Sequence, residues 1–259
     1  MSSKYPTFGY RLPHLLSSRL FGDRQRFGLK ANMEDACWKE WEKCYLDFYY
    51  ENQKKSVGSV VNDAGYKVME KVDLTGKKVL EIGPGDIRHM SFWCGMPAHY
   101  VIADINQAML DKSASRLREQ GVDYSTVLLS KQETARLPFE DSEFDVVVSF
   151  YSLEHLYPLE PYLTETSRVL RQGGVFAGGI PCEGGLAWGI GRFLTSRRWL
   201  KNNTRINPDK IICWEHPNFA EDILKSLDEN FALKYLSYWP FGARVIDINL
   251  VAKFVYEKR

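Results

Sequence analysis

From residue 78 onward short apolar runs alternate with amphipathic stretches, and this rhythm limits the folds open to the chain more than any other feature. Runs at 78–82, 99–104, 124–129, 144–149 and 175–180 have the length and apolar content of buried strands. Between them, Asn106 is placed to cap a helix whose Met109, Leu110 and Leu117 face inward and which Gly121 ends. A second helix over 160–171 stops at Gly173-Gly174. Strands interleaved with helices pair in parallel through right-handed crossovers, so the pattern predicts an α/β fold: a doubly wound sheet with helices on both faces. The end of the chain breaks the rhythm. After a helix near 218–229, runs at 231–239 and 245–255 flank Pro240-Phe241-Gly242-Ala243, and Ile246, Ile248, Leu250, Ala252 and Phe254 alternate onto one face. That is a hairpin pattern, which puts one antiparallel strand near the C-terminal edge of a mostly parallel, seven-stranded sheet.

Residues 1–72 read as a separate N-terminal unit that covers the ligand site of a main domain spanning 73–259. Its first 30 residues hold six Lys or Arg and one acid without sustained period, which predicts an irregular basic arm. Trp38, Trp41, Tyr45 and Phe48 then recur at helical spacing, and Val57, Val60, Val61, Ala64 and Val68 line a second helix stopped at Leu74-Thr75-Gly76. Composition excludes several classes. Lys and Arg number 34 against 33 Asp and Glu, a net charge of +1, which argues against a nucleic-acid partner. The five cysteines are scattered and read as reduced thiols of a cytoplasmic protein. No run approaches the roughly 18 apolar residues of a membrane span, and Lys4, Pro6, Arg11 and Pro13 interrupt any signal peptide. Peripheral contact with a membrane is left open, and no cluster of metal-ligating residues stands out.

The most informative segment is Val79-Leu80-Glu81-Ile82-Gly83-Pro84-Gly85-Asp86, a strand running into a glycine turn where backbone N–H groups can approach a ligand closely. Asp104 ends the next strand, where a carboxylate can accept both hydroxyls of a ribose; together they indicate an adenosine-type ligand. A dinucleotide site wants a third small residue after Gly85, and that position is Arg88. Glu81 would repel a pyrophosphate but tolerate an ammonium and a sulfonium, so the charges favour S-adenosylmethionine over NAD.

These segments resemble the class I S-adenosylmethionine-dependent methyltransferases, nearest the branch that includes ubiquinone- and menaquinone-biosynthesis-like enzymes. The resemblance is carried by 79–86, by Val101-Ile102-Ala103-Asp104, by Glu133-Thr134-Ala135-Arg136-Leu137-Pro138-Phe139 with Phe144-Asp145-Val146-Val147, and by 164–174. It implies that Gly83, Pro84 and Gly85 shape the turn around the methionine part, that Glu81 helps hold its amino group and that Asp104 takes the ribose. Adenine would lie against Ile105 and near Glu133-Thr134, with Phe150 completing the cofactor contacts.

Methyl transfer from a sulfonium depends on alignment, and a general base is needed only for a protonated acceptor. Just past the fourth strand, His155 is the candidate base, and Tyr151 lines the acceptor pocket. A long insertion follows the fifth strand, 182–214, and from Gly184 to Pro208 it carries Arg192, Arg197, Arg198, Lys201 and Arg205 without an acid. As a lid it would suit an anionic small molecule, such as a phosphate-bearing sugar, glycan or lipid methylated on O or N. Arg197, Arg198 and Glu183 are its expected substrate contacts, with Glu183, Glu215 and His216 as secondary bases. Two alternatives are a cofactor-binding module without activity and an NAD(P)-dependent oxidoreductase.

Overall fold

The computed structural model describes residues 4–48, 57–130 and 135–259. Among them seven strands form one sheet: β1 (Lys78–Ile82), β2 (His99–Asp104), β3 (Tyr124–Leu128), β4 (Phe144–Phe150), β5 (Leu170–Pro181), β6 (Phe231–Trp239) and β7 (Val251–Lys258), in the order β3-β2-β1-β4-β5-β7-β6. The first five pair in parallel, and β7 runs antiparallel to both β5 and β6. The central strands are buried on both faces because their side chains alternate between two cores. Val79 of β1 packs with Tyr100, Ile102, Leu110 and Leu117 on one side, while Leu80 packs with Ala103, Val147, Leu163 and Ile223 on the other. Helix α5 (Gln107–Glu119), capped by the Asn106 side chain, covers the first face; α6 (Leu159–Val169) and α10 (Ala220–Asn230) cover the second.

Two expectations are corrected by the packing. The first 30 residues are not an irregular arm: α1 (His14–Phe21) and the short α2 (Arg24–Phe27) dock on the insertion. Arg24 donates to the carbonyls of His216 and Pro217 and lies 3.5 Å from the Phe219 ring centroid, and Trp214 Nε1 donates to the Phe27 carbonyl. The last apolar run is not strand throughout, since Ile246–Ile248 forms a 3-10 turn and pairing begins only at Val251. Asp247 turns inward there, accepting from the backbone N–H of Phe8, Gly9 and Leu186, and Asn249 donates to the Ala243 and Val245 carbonyls, so these polar groups take the chain out of the ladder. The 182–214 insertion, in which Leu186, Ile190, Phe193 and Leu194 share a helical face, forms α7 (Leu186–Leu194), α8 (Ser196–Asn203) and α9 (Pro208–Glu215). Together with α3 (Ala36–Phe48) they enclose a third apolar cluster around Trp41, Phe48, Leu200, Ile206 and Ile211.

Among the described residues no helix is long and apolar enough to cross a membrane.

Candidate functional site

Strands β1 to β3 step in one direction across the sheet and β4 and β5 step in the other, so the chain reverses between β1 and β4. A crevice opens at such a point beyond the C-terminal strand ends. Here it is a cleft of about 2040 Å³, floored by strand ends and roofed by α3, α4 (Val57–Tyr66) and the insertion helices.

Gly83, Pro84 and Gly85 line the floor, with φ of +69° at Gly83 and +59° at Gly85, values that disfavour any residue with a Cβ. A Cβ on Gly83 would also lie 3.2 Å from that of Ser152, which belongs to the loop after β4 across the crevice. After Gly85 the chain forms a 3-10 turn at Arg88–Phe92 in place of an α-helix, so no long helix aims its N-terminus at a pyrophosphate. Asp104 lines the cleft, and its Oδ1 accepts the Asn106 N–H at 2.8 Å, which orients the carboxylate while leaving Oδ2 outside that bond. Burial raises the Asp104 carboxyl above its ordinary value, against the lowering pull of the Asn106 and Ile105 backbone N–H groups. Ile105 is 53% exposed beside it, a flat apolar platform for a base, and Phe150 forms the opposite wall, edge-on to Tyr66 at 5.0 Å. An adenosine with an amino-acid tail fits these groups.

Glu81 takes a different place from the contact expected of it. Its carboxylate is fully buried beneath the turn, accepting from Tyr100 at 2.9 Å and from His89 Nε2 at 2.8 Å. Trp93 donates to His89 Nδ1 at 3.0 Å, which assigns the Nε2–H tautomer to His89. Glu81 thus offers the turn a negative charge from below, not an open hydrogen-bonding atom. Nothing in the spacing of Glu81, His89 and Trp93 marks that chain of bonds in advance.

The other half of the cleft is assembled from distant segments. A 3-10 turn at Leu153–His155 follows β4 and meets the C-terminus of α9, which Asn207 caps and Pro208 starts. His155 Nδ1 donates to the Glu215 carbonyl at 2.5 Å, its Nε2 lies 3.9 Å from Glu154 Oε1, and its ring centroid is 4.7 Å from that of His216. Burial by itself would lower the His155 imidazole, but the Glu215 bond and the Glu154 and Glu215 charges outweigh it and raise it to about 9. Burial and the Arg192 charge hold the neighbouring His216 down at about 4. One ring is therefore a cation at neutral pH and the other is neutral. A general base needs a neutral ring, so this pocket favours His155 as a positive charge. Burial also pushes the Glu154 carboxyl up to about 7.

Glu183 is fully buried and paired with both terminal nitrogens of Arg192, with Trp188 Nε1 donating to it at 2.8 Å. Burial would raise this carboxyl, yet Arg192 and His216 bring it down to about 2. It braces the insertion and does not line the cleft. Arg197 does line it, 93% buried, with one nitrogen 2.7 Å from Asp209 and with Nε and Nη1 unpartnered among the described residues. Arg198 is exposed on the outer side of α8, so the two adjacent arginines part company. Tyr151 lines the cleft at φ +53°, its hydroxyl donating to the Val61 and Asn62 carbonyls, which ties the loop after β4 to α4. Glu133 and Thr134 lie outside the described residues. The sequence reading missed the roles of Glu154, Arg192 and Trp41, whose Nε1 donates to Glu215 at 2.7 Å; the one signal was the charged pair Glu154-His155 at a strand end.

Residues 80–178 match a family model described as a methyltransferase domain. The chain is 36% identical over 114 residues to the phthiotriol/phenolphthiotriol dimycocerosates methyltransferase of Mycobacterium tuberculosis, covering 43% of this chain and 40% of that protein. It is 35% identical over 102 residues to the ubiquinone/menaquinone biosynthesis C-methyltransferase of Idiomarina loihiensis, covering 38% and 40%. The match thus spans less than half the length of these relatives. In fold it resembles the PH0226 protein of Pyrococcus horikoshii, at 16% identity and TM-score 0.54 over 84% of this chain and 99% of the other. It also resembles an S-adenosylmethionine-dependent methyltransferase of Mesorhizobium loti, at 13% identity and TM-score 0.50 over 80% and 100%. The matched segment holds the glycine turn, Asp104 and the loop after β4 that line the cleft floor, so residues 80–178 carry a methyltransferase domain at the centre of this sheet.

Proposed function

We propose that this chain transfers the methyl group of S-adenosylmethionine to an O or N atom of an amphipathic small molecule whose anionic end meets Arg197 and His155. The observation that carries the reading is the size and make-up of the cleft. About 2040 Å³ exceeds what one small ligand fills, so a cofactor seated on the glycine turn leaves room for an acceptor under α3 and the insertion. That remaining space has an apolar wall of Trp38, Trp41, Tyr45 and Leu200, and at its polar end it holds the buried Arg197 and the partly exposed His155. Bound on the floor, S-adenosylmethionine supplies a methyl carbon made electrophilic by the sulfonium. The protein's part is alignment: the turn and Asp104 hold the donor, Tyr151 stiffens the loop between donor and acceptor, and Arg197 and His155 orient the acceptor's charge.

A second reading, transfer to a carbon atom of a lipid or quinone, draws on the names of the two relatives above and on the same apolar wall. Both are tested by incubating the protein with methyl-labelled S-adenosylmethionine and anionic and neutral acceptor pools, measuring S-adenosylhomocysteine, and locating the label by NMR. An O- or N-methyl on an anionic product is expected. A C-methyl would select the second reading, and binding of the donor without S-adenosylhomocysteine formation across the pools would leave a binding module. Tight NAD binding with no response to the sulfur ligands would overturn both.

A further inference from the structure

Helix α7 divides its surface three ways. Trp188, Gly191 and Arg192 line the cleft. Gly189 meets α1, where an added Cβ would lie 2.6 Å from Phe21 and 3.1 Å from Leu20, so only a glycine lets the two helices approach this closely. Ile190, Phe193 and Leu194 point outward at i, i+3 and i+4, and they are 50%, 41% and 62% exposed. On α1, Leu15 and Leu16 are 67% and 49% exposed, with Arg19 one turn beyond Leu15. Single exposed leucines need no explanation; five large apolar side chains on two packed helices do.

The charge on these segments is mostly of one sign, Asp23 just past α1 being taken up by His14 at 3.1 Å. Residues 1–22 contain no acid, and neither do residues 184–208. Arg19, Arg198 and Lys201 stand exposed on these segments, and none pairs with a carboxylate among the described residues. Arg192 and Arg197 from the same insertion turn inward to Glu183 and Asp209. The outward cations are thus left for something outside the molecule. Protruding aliphatic and aromatic groups on segments whose exposed, carboxylate-free charges are cations match the boundary between the anionic headgroups and acyl chains of a bilayer, where both contacts are met at once.

We propose that the outer face of α1, α7 and α8 docks on an anionic lipid bilayer, the five apolar side chains entering the headgroup boundary and the three cations meeting lipid phosphates. The opposite side of α7 lines the cleft, so docking sets the cleft beside the phase in which an amphipathic acceptor dissolves. The docking itself is independent of the methyl-transfer reading, because it is measured without any acceptor.

The experiment is cosedimentation of the full chain with vesicles of phosphatidylcholine alone and of phosphatidylcholine containing about one third phosphatidylglycerol. Binding to the anionic vesicles, weakened by salt, is expected. The triple variants Arg19→Glu/Arg198→Glu/Lys201→Glu and Leu15→Gln/Ile190→Gln/Leu194→Gln should each lower the partition coefficient at least about tenfold. Unchanged S-adenosylmethionine affinity in both, by calorimetry, would show that they remain folded. A wild-type protein that stays in the supernatant, or variants that bind as the wild type does, would overturn the proposal. Self-association abolished by the same substitutions, without vesicle binding, would assign the face to a second copy instead.

Discussion

The strand-end wall of the cleft takes its groups from one stretch of chain, the glycine turn and Asp104 being held by backbone geometry, whereas the opposite wall gathers His155, Arg192, Arg197, Glu215 and Trp41 from three segments and is braced from behind by the ion pairs of Arg192 with Glu183 and Arg197 with Asp209. The difference in construction implies a difference in tolerance. A turn supported by parallel strands keeps its shape when a neighbouring side chain changes, because its bonds are local. A wall held by a desolvated pair loses its support when one partner goes, because the remaining charge stays buried.

The strongest attempt to break this comparison is Glu183→Ala, which leaves Arg192 without its carboxylate in the interior. A loss of about 3–5 kcal/mol in unfolding free energy is expected from urea denaturation. The pair also predicts a pH dependence. The carboxyl is held at about 2 against an ordinary 4.5, so the unfolded chain binds more protons between these values. Stability from this group is complete above about 4.5 and falls as the pH drops toward 2. A variant as stable as the wild type would show that the insertion does not depend on the pair.

On the other wall, Asp104→Ala should leave stability nearly unchanged but weaken S-adenosylmethionine binding at least tenfold. Hydrogen bonds to a charged acceptor contribute roughly 1.5–3 kcal/mol each, and 1.4 kcal/mol is a factor of ten. Titration calorimetry checks it. An unchanged dissociation constant would confine Asp104 to its turn-forming bond with Asn106.

The comparison is sharpened within the insertion by two adjacent residues. Arg197→Gln should raise the apparent KM for an anionic acceptor by about tenfold, while Arg198→Glu should change it by less than about twofold. Equal effects would mean that charge over the whole lid, not a cleft-lining guanidinium, meets the acceptor.

The smallest effect is spectroscopic. NMR titration of the imidazoles should find His155 near 9 and His216 near 4, assigned by His155→Gln. For His155 the folded state holds its proton longer, so its contribution to stability is full below about 6.5 and is lost as the pH rises through 9. His216 acts in the opposite sense: its contribution is lost as the pH falls from 6.5 toward 4. Two rings titrating together near 6.5 would show that the pocket does not separate them.

What could be read from residues alone was whatever a short stretch of chain decides. Short apolar runs and helical spacing placed β1 to β4 and the helices α5, α6 and α10 to within a few residues, while β5 begins at Leu170, five residues before the run read for it, and takes in the glycines read as the stop of α6; the glycine turn with Asp104 marked the ligand because strand, turn and next strand are one local unit. The tertiary structure decided everything that depends on a distant partner. Asp247 leaves the ladder because Phe8, Gly9 and Leu186 bring N–H groups to it, and the basic N-terminus becomes helical against α9 because Arg24 finds carbonyls at His216 and Pro217. Glu81 is enclosed because His89 and Tyr100 close over it. Arg197 and Arg198, alike and adjacent in sequence, differ because successive residues on a helix point about 100° apart, and only the packing of α8 determines which of the two directions is inside.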